Sequence, residues 1–343
     1  MKQIAVLATN SSISSDVFGL LDFFEYCNVL WRYQHGEHCA ALFHCYLVSP
    51  DGMPLTLRQG VTLAVQPHNW QQADALILPA AYAYSRAQLS ALAQQSAGYF
   101  SGLAHALDNG SIIAAHCTGT FILAGSGLLA HKKATSSWFF KDVFQSLYPT
   151  VHLQLNKLLV QDGNLLTAGA TTAFMNLCLA LTERLAGEAF ARQIGKIMLT
   201  DPNRSSQIPY MDLSVGQQHS DLLIAQVQKQ LINSLAQPFA LEQLAAQFHL
   251  TKRTLLRRFK AALNDTPLNY LQRLRVEQAK RLLETTNQPV EQIVLQVGYE
   301  DVSSFRKLFL QYTELTPSQY RQKFSQGDTF HCCPAEPASS RVI

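Results

Sequence analysis

The stretch ALEQLAAQFHLTKRTLLRRFKAAL, residues 240–263, reads as two short helices joined by a turn. Leu241, Leu244, Ala245 and Phe248 fall on one face of the first helix, and the small Ala245 lets a second helix approach closely. Thr251 suits an N-cap, because its hydroxyl accepts from backbone N–H groups that a helix start cannot pair internally. Leu255, Phe259 and Leu263 then recur every four residues and turn inward, which leaves Arg253, Leu256, Arg257 and Lys260 outward. A helix with two arginines one turn apart on its outer face is built to reach base edges and phosphates.

The pattern returns in PVEQIVLQVGYEDVSSFRKLFLQY, residues 289–312. Ile293 and Val297 form the first face, Gly298 supplies a turn residue free to take positive φ, and Asp301 is the N-cap. Phe305 and Phe309 repeat the inward pair, while Val302, Ser303, Arg306 and Lys307 face out. Between the two units, PLNYLQRLRVEQAKRLLE (267–284) is a long amphipathic helix suited to hold them rigidly. Two outward helices so held enter successive major-groove segments about 34 Å apart on one DNA turn. A single basic face is as often a mere solvated face; the repetition at matching spacing is what favours nucleic acid.

Residues 225–324 resemble the AraC-type DNA-binding domain, through LEQLAAQF, TLLRRFK, YLQRLRVEQAKRLL, VGYEDVSSFRKLF and TPSQYR. The resemblance places Arg253, Leu256 and Arg257 of the first unit, and Val302, Ser303, Arg306 and Lys307 of the second, at base-reading positions; Thr251 and Lys260 complete the candidate DNA face. Double-stranded DNA is the partner so implied, with RNA polymerase a further candidate. One departure is His249, where such turns commonly carry Gly; a histidine is less at ease in the left-handed conformation, so strain is expected there. Charge agrees with this assignment. Residues 1–217 hold 12 Lys and Arg against 13 Asp and Glu, residues 218–326 hold 14 against 9, and the tail 1 against 2, so the basic excess is confined to the helical half.

Upstream of it, strand and helix signals alternate. IAVLAT (4–9), LFHCYLV (42–48), ALILPA (75–80) and SIIAAHC (111–117) read as buried strands; 16–28, 89–107 and 118–129 read as helices. LLVQDGNLLTAG (158–169) reads as a hairpin turning at Asp162-Gly163, followed by an apolar helix over 171–185. The expected fold is therefore α/β plus all-α: an N-terminal flavodoxin-like parallel sheet sandwiched by helices, and a C-terminal helical domain with two helix-turn-helix units. The expected boundaries are 1–200 for the first domain, 201–222 for a polar linker containing Pro202 and Pro209, 223–325 for the second domain, and 326–343 for a disordered tail. No run of eighteen apolar residues occurs, so no membrane partner is expected, and MKQIAVLATNSS reads as a first strand rather than a signal peptide. Seven scattered cysteines (27, 39, 45, 117, 178, 332, 333) lack metal-ligand spacing and fit reduced thiols in a cytoplasmic protein; no cofactor or metal is expected.

Within SIIAAHCTGTFILAGSGLLAHKKATSSW (111–138) a strand ends at Cys117, Gly119 follows and a helix begins, which is the outline of a nucleophile elbow. With HCTGTF, AGSGLL, KATSSW and LLTAGATTAF, residues 1–200 resemble the ThiJ/PfpI-like, class-I glutamine-amidotransferase-like superfamily. The order of the two domains resembles GlxA-type transcription regulators. The resemblance implies an elbow Cys working with an acid and a His. Asp16, in DVFGLLDFFEYCN, stands at the acid's place, but Ser137 stands where the His usually precedes the Trp. A serine is no general base near neutral pH, and His116, next to Cys117, is expected to point to the sheet's other side. PAAYAY replaces the Gly-rich turn that usually supplies oxyanion donors. Asp16, Cys117 and Ser137 are thus read as vestigial, and the domain as a ligand sensor rather than an enzyme. The alternatives are a cysteine-dependent hydrolase or glyoxalase-like enzyme, and a thiol redox sensor. The candidate ligand pocket at the sheet's C-terminal edge is lined by Asp16, Ala80, Tyr82, Cys117, Thr118, Ser137 and Trp138, though Trp138 serves equally well as helix packing. The resemblance implies a small-molecule effector such as an amino acid or betaine. Asp16 would meet its cationic group and the N–H groups after Cys117 its carboxylate. It also implies a homodimer, with Asn176 on a helix that serves as a dimer-forming or packing helix.

Overall fold

The computed structural model describes residues 1–65, 69–201, 204–212 and 219–325; the expected tail at 326–343 lies outside them. The chain forms two compact units, Met1–Met211 and Asp212–Ile343.

In the first unit, β1 (Lys2–Leu7) leads into α1 (Ser14–His35) and β2 (Phe43–Val48). A two-strand excursion follows, β3 (Leu55–Thr56) and β4 (Thr62–Leu63), and then β5 (Ala75–Leu78). The residues read as one helix over 89–107 form two, α2 (Arg86–Gln95) and α3 (Phe100–Asp108), separated by a short 3-10 turn. The break has a cause: a Cβ on Gly98 would lie 2.9 Å from the carbonyl oxygen of Pro50, and the adjacent buried Tyr99 donates its hydroxyl to Ala8 O and Val48 O. Next come β6 (Ile112–His116), α4 (Gly119–Gly125), β7 (Lys133–Ala134), α5 (Lys141–Leu147) and β8 (His152–Leu153), then the hairpin β9 (Leu159–Asp162) and β10 (Leu165–Ala168). Two helices, α6 (Phe174–Ala186) and α7 (Glu188–Ile197), complete the unit.

The main sheet has the order β2-β1-β5-β6-β10-β9. All its pairings are parallel except that of β9 with β10. Asp162 pairs with Leu165, so the hairpin turns on Gly163-Asn164, one residue later than the sequence reading placed it. Gly163 supplies the positive φ (64°), and Asp162 is held in the strand, where its carboxylate accepts from Lys133 N. Alternate residues of the buried strands feed opposite faces. Ile4, Val6, Ile77 and Ala114 pack under α1, α6 and α7, whereas Ala5, Leu7, Leu76 and Ala115 pack under α2 to α5. Asn176 is buried on α6 and its Nδ2 donates to Asp201 O, so it is a satisfied packing residue.

The second unit is wholly helical: α8 (Leu222–Asn233), α9 (Leu241–Gln247), α10 (Lys252–Leu263), α11 (Pro267–Thr285), α12 (Val290–Gln296), α13 (Val302–Thr313) and α14 (Pro317–Phe324). It has two cores. Leu244, Ala245, Leu255 and Phe259 gather with Leu271 of α11, and Ile293, Val297, Phe305 and Phe309 gather with Val276, Ala279 and Leu283 further along the same helix. One 19-residue helix, about 28 Å long at 1.5 Å per residue, therefore belongs to both helix pairs and fixes their spacing. Arg275, buried near its middle, donates to Leu235 O and Gln237 O and so holds the turn that follows α8.

Candidate functional site

At the end of β6 the chain turns sharply. Cys117 takes φ 51°, a left-handed conformation that costs a non-glycine residue about 1–2 kcal/mol. It is held there because its N–H donates to Ala168 O and Gly169 O. Two residues on, α4 starts so close to β5 that a Cβ on Gly119 would stand 2.4 Å from Leu78 O and 2.6 Å from Pro79 O. Hydroxyls then knit the turn. Thr118 Oγ1 donates to Ala81 O and accepts from Ala81 N, each at 2.7 Å. Thr120 Oγ1 meets Cys117 O and Ser136 Oγ, and Ser136 Oγ donates to Cys117 O at 2.8 Å.

The Cys117 thiol is buried, 3.9 Å from Thr171 Oγ1. Burial pushes its pKa up; hydrogen bonds from the Thr118 N–H, Thr171 and Ser137 oppose the rise, and the Asp16 charge adds to it. The net direction is upward, so the thiol form dominates at neutral pH, the reverse of what a nucleophilic cysteine needs. Its hydrogen-bonding neighbours are two hydroxyls and a backbone amide.

Asp16 is fully buried on α1, and its Oδ2 lies 2.7 Å from Nε2 of the equally buried His116. His116 does point away from the elbow, toward α1 and α6, with its ring 6.0 Å from that of Phe174. Its Nε2 also receives a long contact from Ala80 N at 3.4 Å. The acid matched by resemblance to the elbow thiol is therefore hydrogen-bonded to an imidazole behind the sheet edge. Asp16, Ala80, Cys117, Thr118 and Ser137 are all buried at this edge. Tyr82 and Trp138 are not sealed with them. Tyr82 is partly exposed, with the Arg58 guanidinium 5.2 Å over its ring, and the half-buried Trp138 packs edge-on against Phe139.

In the second unit, Thr251 caps α10 by accepting from Thr254 N, and Asp301 caps α13 by accepting from Ser303 N and Ser304 N. Leu255, Phe259, Phe305 and Phe309 are buried, while Arg253, Leu256, Arg257 and Lys260 on α10, and Ser303, Arg306 and Lys307 on α13, are exposed. Three details modify the outward faces. Val302 is half-buried against the second core. Lys260 Nζ donates to Asn264 O and closes the end of its own helix. Arg306 is paired with Glu291 of α12 at 2.9 Å. The turns differ as the sequence indicated: His249 takes φ 54° and Gly298 φ 83°. At Gly298 a Cβ would also lie 2.7 Å from Ala236 O, so the glycine is needed there for space as well as for conformation.

A family model described as DJ-1/PfpI family matches residues 2–184, more than half of the chain. The chain belongs to the DJ-1/PfpI family. A model of a helix-turn-helix domain matches residues 244–323. Among relatives, the HTH-type transcriptional regulator CdhR of Pseudomonas aeruginosa is 29% identical over 310 residues, covering 88% of this chain and 89% of that protein. The HTH-type transcriptional regulator ArgR of the same organism is 27% identical over 226 residues, 65% of this chain and 68% of that protein. Among solved structures, Drosophila melanogaster DJ-1beta is similar at 19% identity and a TM-score of 0.47, covering 58% of this chain and 98% of that one.

Several residues of the DJ-1/PfpI unit's elbow escaped the sequence reading. Thr171 sits in a loop without periodicity, and Ser136 looked like a neighbour of the informative Ser137. Gln207 lies in the stretch expected to be linker, yet it is buried and folded onto the unit. The only signal for it is Gly169, directly after β10, where a Cβ would come within 2.3 Å of the Gln207 carboxamide. Residues 204–211 are thus part of the first unit rather than free linker.

Proposed function

We propose that this chain is a ligand-responsive transcription regulator, in which the DJ-1/PfpI unit senses a small molecule and the helix-turn-helix unit binds DNA in a sequence-specific way. The observation that carries the reading is the pair of capped helices α10 and α13, each showing polar and basic residues outward and each packed on the single helix α11. A relative named as an HTH-type transcriptional regulator supports it over 88% of this chain. Arg253 and Arg257 are free of the ion pairs that engage Lys252 and Arg306 among the described residues, so α10 of the first helix-turn-helix supplies most of the base readout. The test uses a duplex selected by the wild-type protein from a random pool. The double variant Arg253→Ala, Arg257→Ala should lose specific affinity for it while keeping its circular dichroism and melting temperature, and unchanged affinity would refute the reading.

The first unit is read as non-catalytic. An elbow thiol kept protonated by burial, beside hydroxyls and with its matched acid engaged by His116, has no activated nucleophile to offer. Asp16 is sealed, so an effector's cationic group is not expected to meet it; the exposed Thr171 beside the Cys117 thiol is the candidate polar contact. An amino acid or betaine remains the effector class to test first, by thermal shift of the full chain, since a ligand that binds only the folded state raises its stability by mass action. The regulator is read as a homodimer, which light scattering of the free and DNA-bound protein checks.

A further inference from the structure

The segment 204–211 is held on the first unit by an unusual concentration of bonds. Gln207 is 2% exposed. Its Nε2 lies 3.0–3.2 Å from Thr135 Oγ1, Ser136 O, Leu155 O and Lys157 O, and its Oε1 accepts from Ala170 N at 3.1 Å. Around it, Leu158 N donates to Ser205 O, Lys157 bridges Ser206 in antiparallel fashion, and the Arg204 guanidinium reaches Thr172 Oγ1 and lies 4.7 Å over the Tyr210 ring.

The seat of Gln207 is built from the segments that also hold the elbow. Ser136, whose carbonyl accepts from Gln207, donates its hydroxyl to Cys117 O. Gly169, against which the carboxamide packs, accepts from Cys117 N. Ala170, which donates to Gln207, precedes the Thr171 that flanks the thiol. The Cys117 turn and this seat thus share Ser136 and Gly169, and the strap ends where the first unit ends, at Met211.

We infer that residues 204–211 are a strap whose docking, fixed by Gln207 in a seat shared with the Cys117 elbow, sets how strongly the second unit binds DNA. The inference rests on the DNA-binding reading above. Gln207 is a positioning residue in it: two arrangements of the strap, docked and released, present the following chain differently, and whatever occupies the elbow biases their populations.

Two opposite substitutions test it in the full chain. Gln207→Ala empties the seat, and Gly169→Ala fills it and expels the carboxamide while leaving Gln207 in place. The readouts are hydrogen exchange at the Leu158 and Ala170 amides, which the docked strap protects, and affinity for a duplex that the wild-type protein selects from a random pool. Both variants should speed exchange at the two amides and change affinity about fivefold or more in the same direction, the low end of ordinary allosteric coupling. The double variant should go no further than the larger single effect, because both act through one seat. Faster exchange with wild-type affinity in both variants would make the strap purely structural and overturn the inference, as would exchange that does not change. Failure of the wild-type protein to select any duplex would instead sink the DNA-binding reading beneath it. Should Gln207→Ala not fold, Arg204→Ala at the strap's start is read by the same two measurements.

Discussion

Arg257 and Arg306 are exposed arginines on equivalent helices, yet they should not be equal in DNA binding. Each direct arginine contact to a base is worth about 1–3 kcal/mol, or about 5- to 150-fold in affinity. On the proposed reading the exposed Arg257 has no ion pair to break among the described residues. Arg306 must first leave Glu291, 2.9 Å away, in a pair whose side chains remain 51% and 58% exposed. At that exposure the pair is worth about 0–1 kcal/mol. Subtracting it leaves Arg306 a net contribution smaller by up to about fivefold. Arg257→Ala should therefore weaken binding by about 30-fold, taking the middle of the range, and Arg306→Ala by about 10-fold. Glu291→Ala should tighten it by up to about fivefold, because it removes the partner that competes for Arg306. Fluorescence anisotropy on a selected duplex across a salt series measures all three. A loss of about one in the slope of log affinity against log salt marks a phosphate contact, and an unchanged slope with relaxed sequence preference marks a base contact. An Arg306→Ala loss as large as that of Arg257→Ala, together with a neutral Glu291→Ala, would refute the argument that internal pairing ranks the two helices.

Gly119→Ala places a methyl group against two backbone oxygens that side-chain movement cannot clear. It should cost about 3 kcal/mol and lower the first unit's melting temperature by about 6–12 °C, and a calorimetric shift under 2 °C would show the elbow to be more pliant than described. The Arg258 guanidinium, hydrogen-bonded to Asp221, holds that carboxylate below its usual value of 3.8, with help from the Ile224 and Leu223 amides. The stability from this lowering is present above pH 3.8 and lost as pH falls through the lower folded value. Arg258→Gln should accordingly destabilise more at pH 7 than at pH 2 in urea titrations, and an equal deficit at both would remove the pair from the acid limb. Because burial keeps the Cys117 thiol protonated, native iodoacetamide treatment at pH 7.5 should label the part-exposed Cys39 well before Cys117, and labelling at matched rates by mass spectrometry would revive the redox-sensor reading.

The second unit was legible almost residue by residue because its information is local. Inward residues recur at four-residue spacing, the caps are Thr251 and Asp301, and the turn residues His249 and Gly298 take the positive φ that their positions demand. The sheet was legible for a similar reason, since uninterrupted apolar runs mark strands buried on both faces. What was not legible depends on contacts between residues distant in sequence. Periodicity alone carries a helix through 96–99, where the chain instead turns and sets Tyr99 against two strand ends and Gly98 against Pro50. The hairpin turn moved by one residue because the amide of Lys133, 29 residues upstream, holds Asp162 in its strand. Asp16 looked like a ligand group because nothing in its own helix shows that it faces His116, 100 residues away.

The elbow itself poses a sharper question. A left-handed Cys117 and a glycine pressed onto two carbonyls are costly features, and in a catalytic relative they would be repaid by chemistry. In this chain burial favours the protonated thiol and the acid is hydrogen-bonded to His116, so on the non-catalytic reading proposed above the strain is sustained by something other than turnover. The hydrogen bonds identify what that is. Cys117 N is tied to Ala168 O and Gly169 O, and Cys117 O to Ser136 and Thr120; both sides of the turn lead directly to the seat of Gln207. The backbone of the turn, more than its sulfur, is what the surrounding structure uses. On this argument a substitution that preserves the left-handed turn while deleting the thiol leaves DNA binding intact, whereas one that preserves the thiol while disturbing the turn or its seat does not.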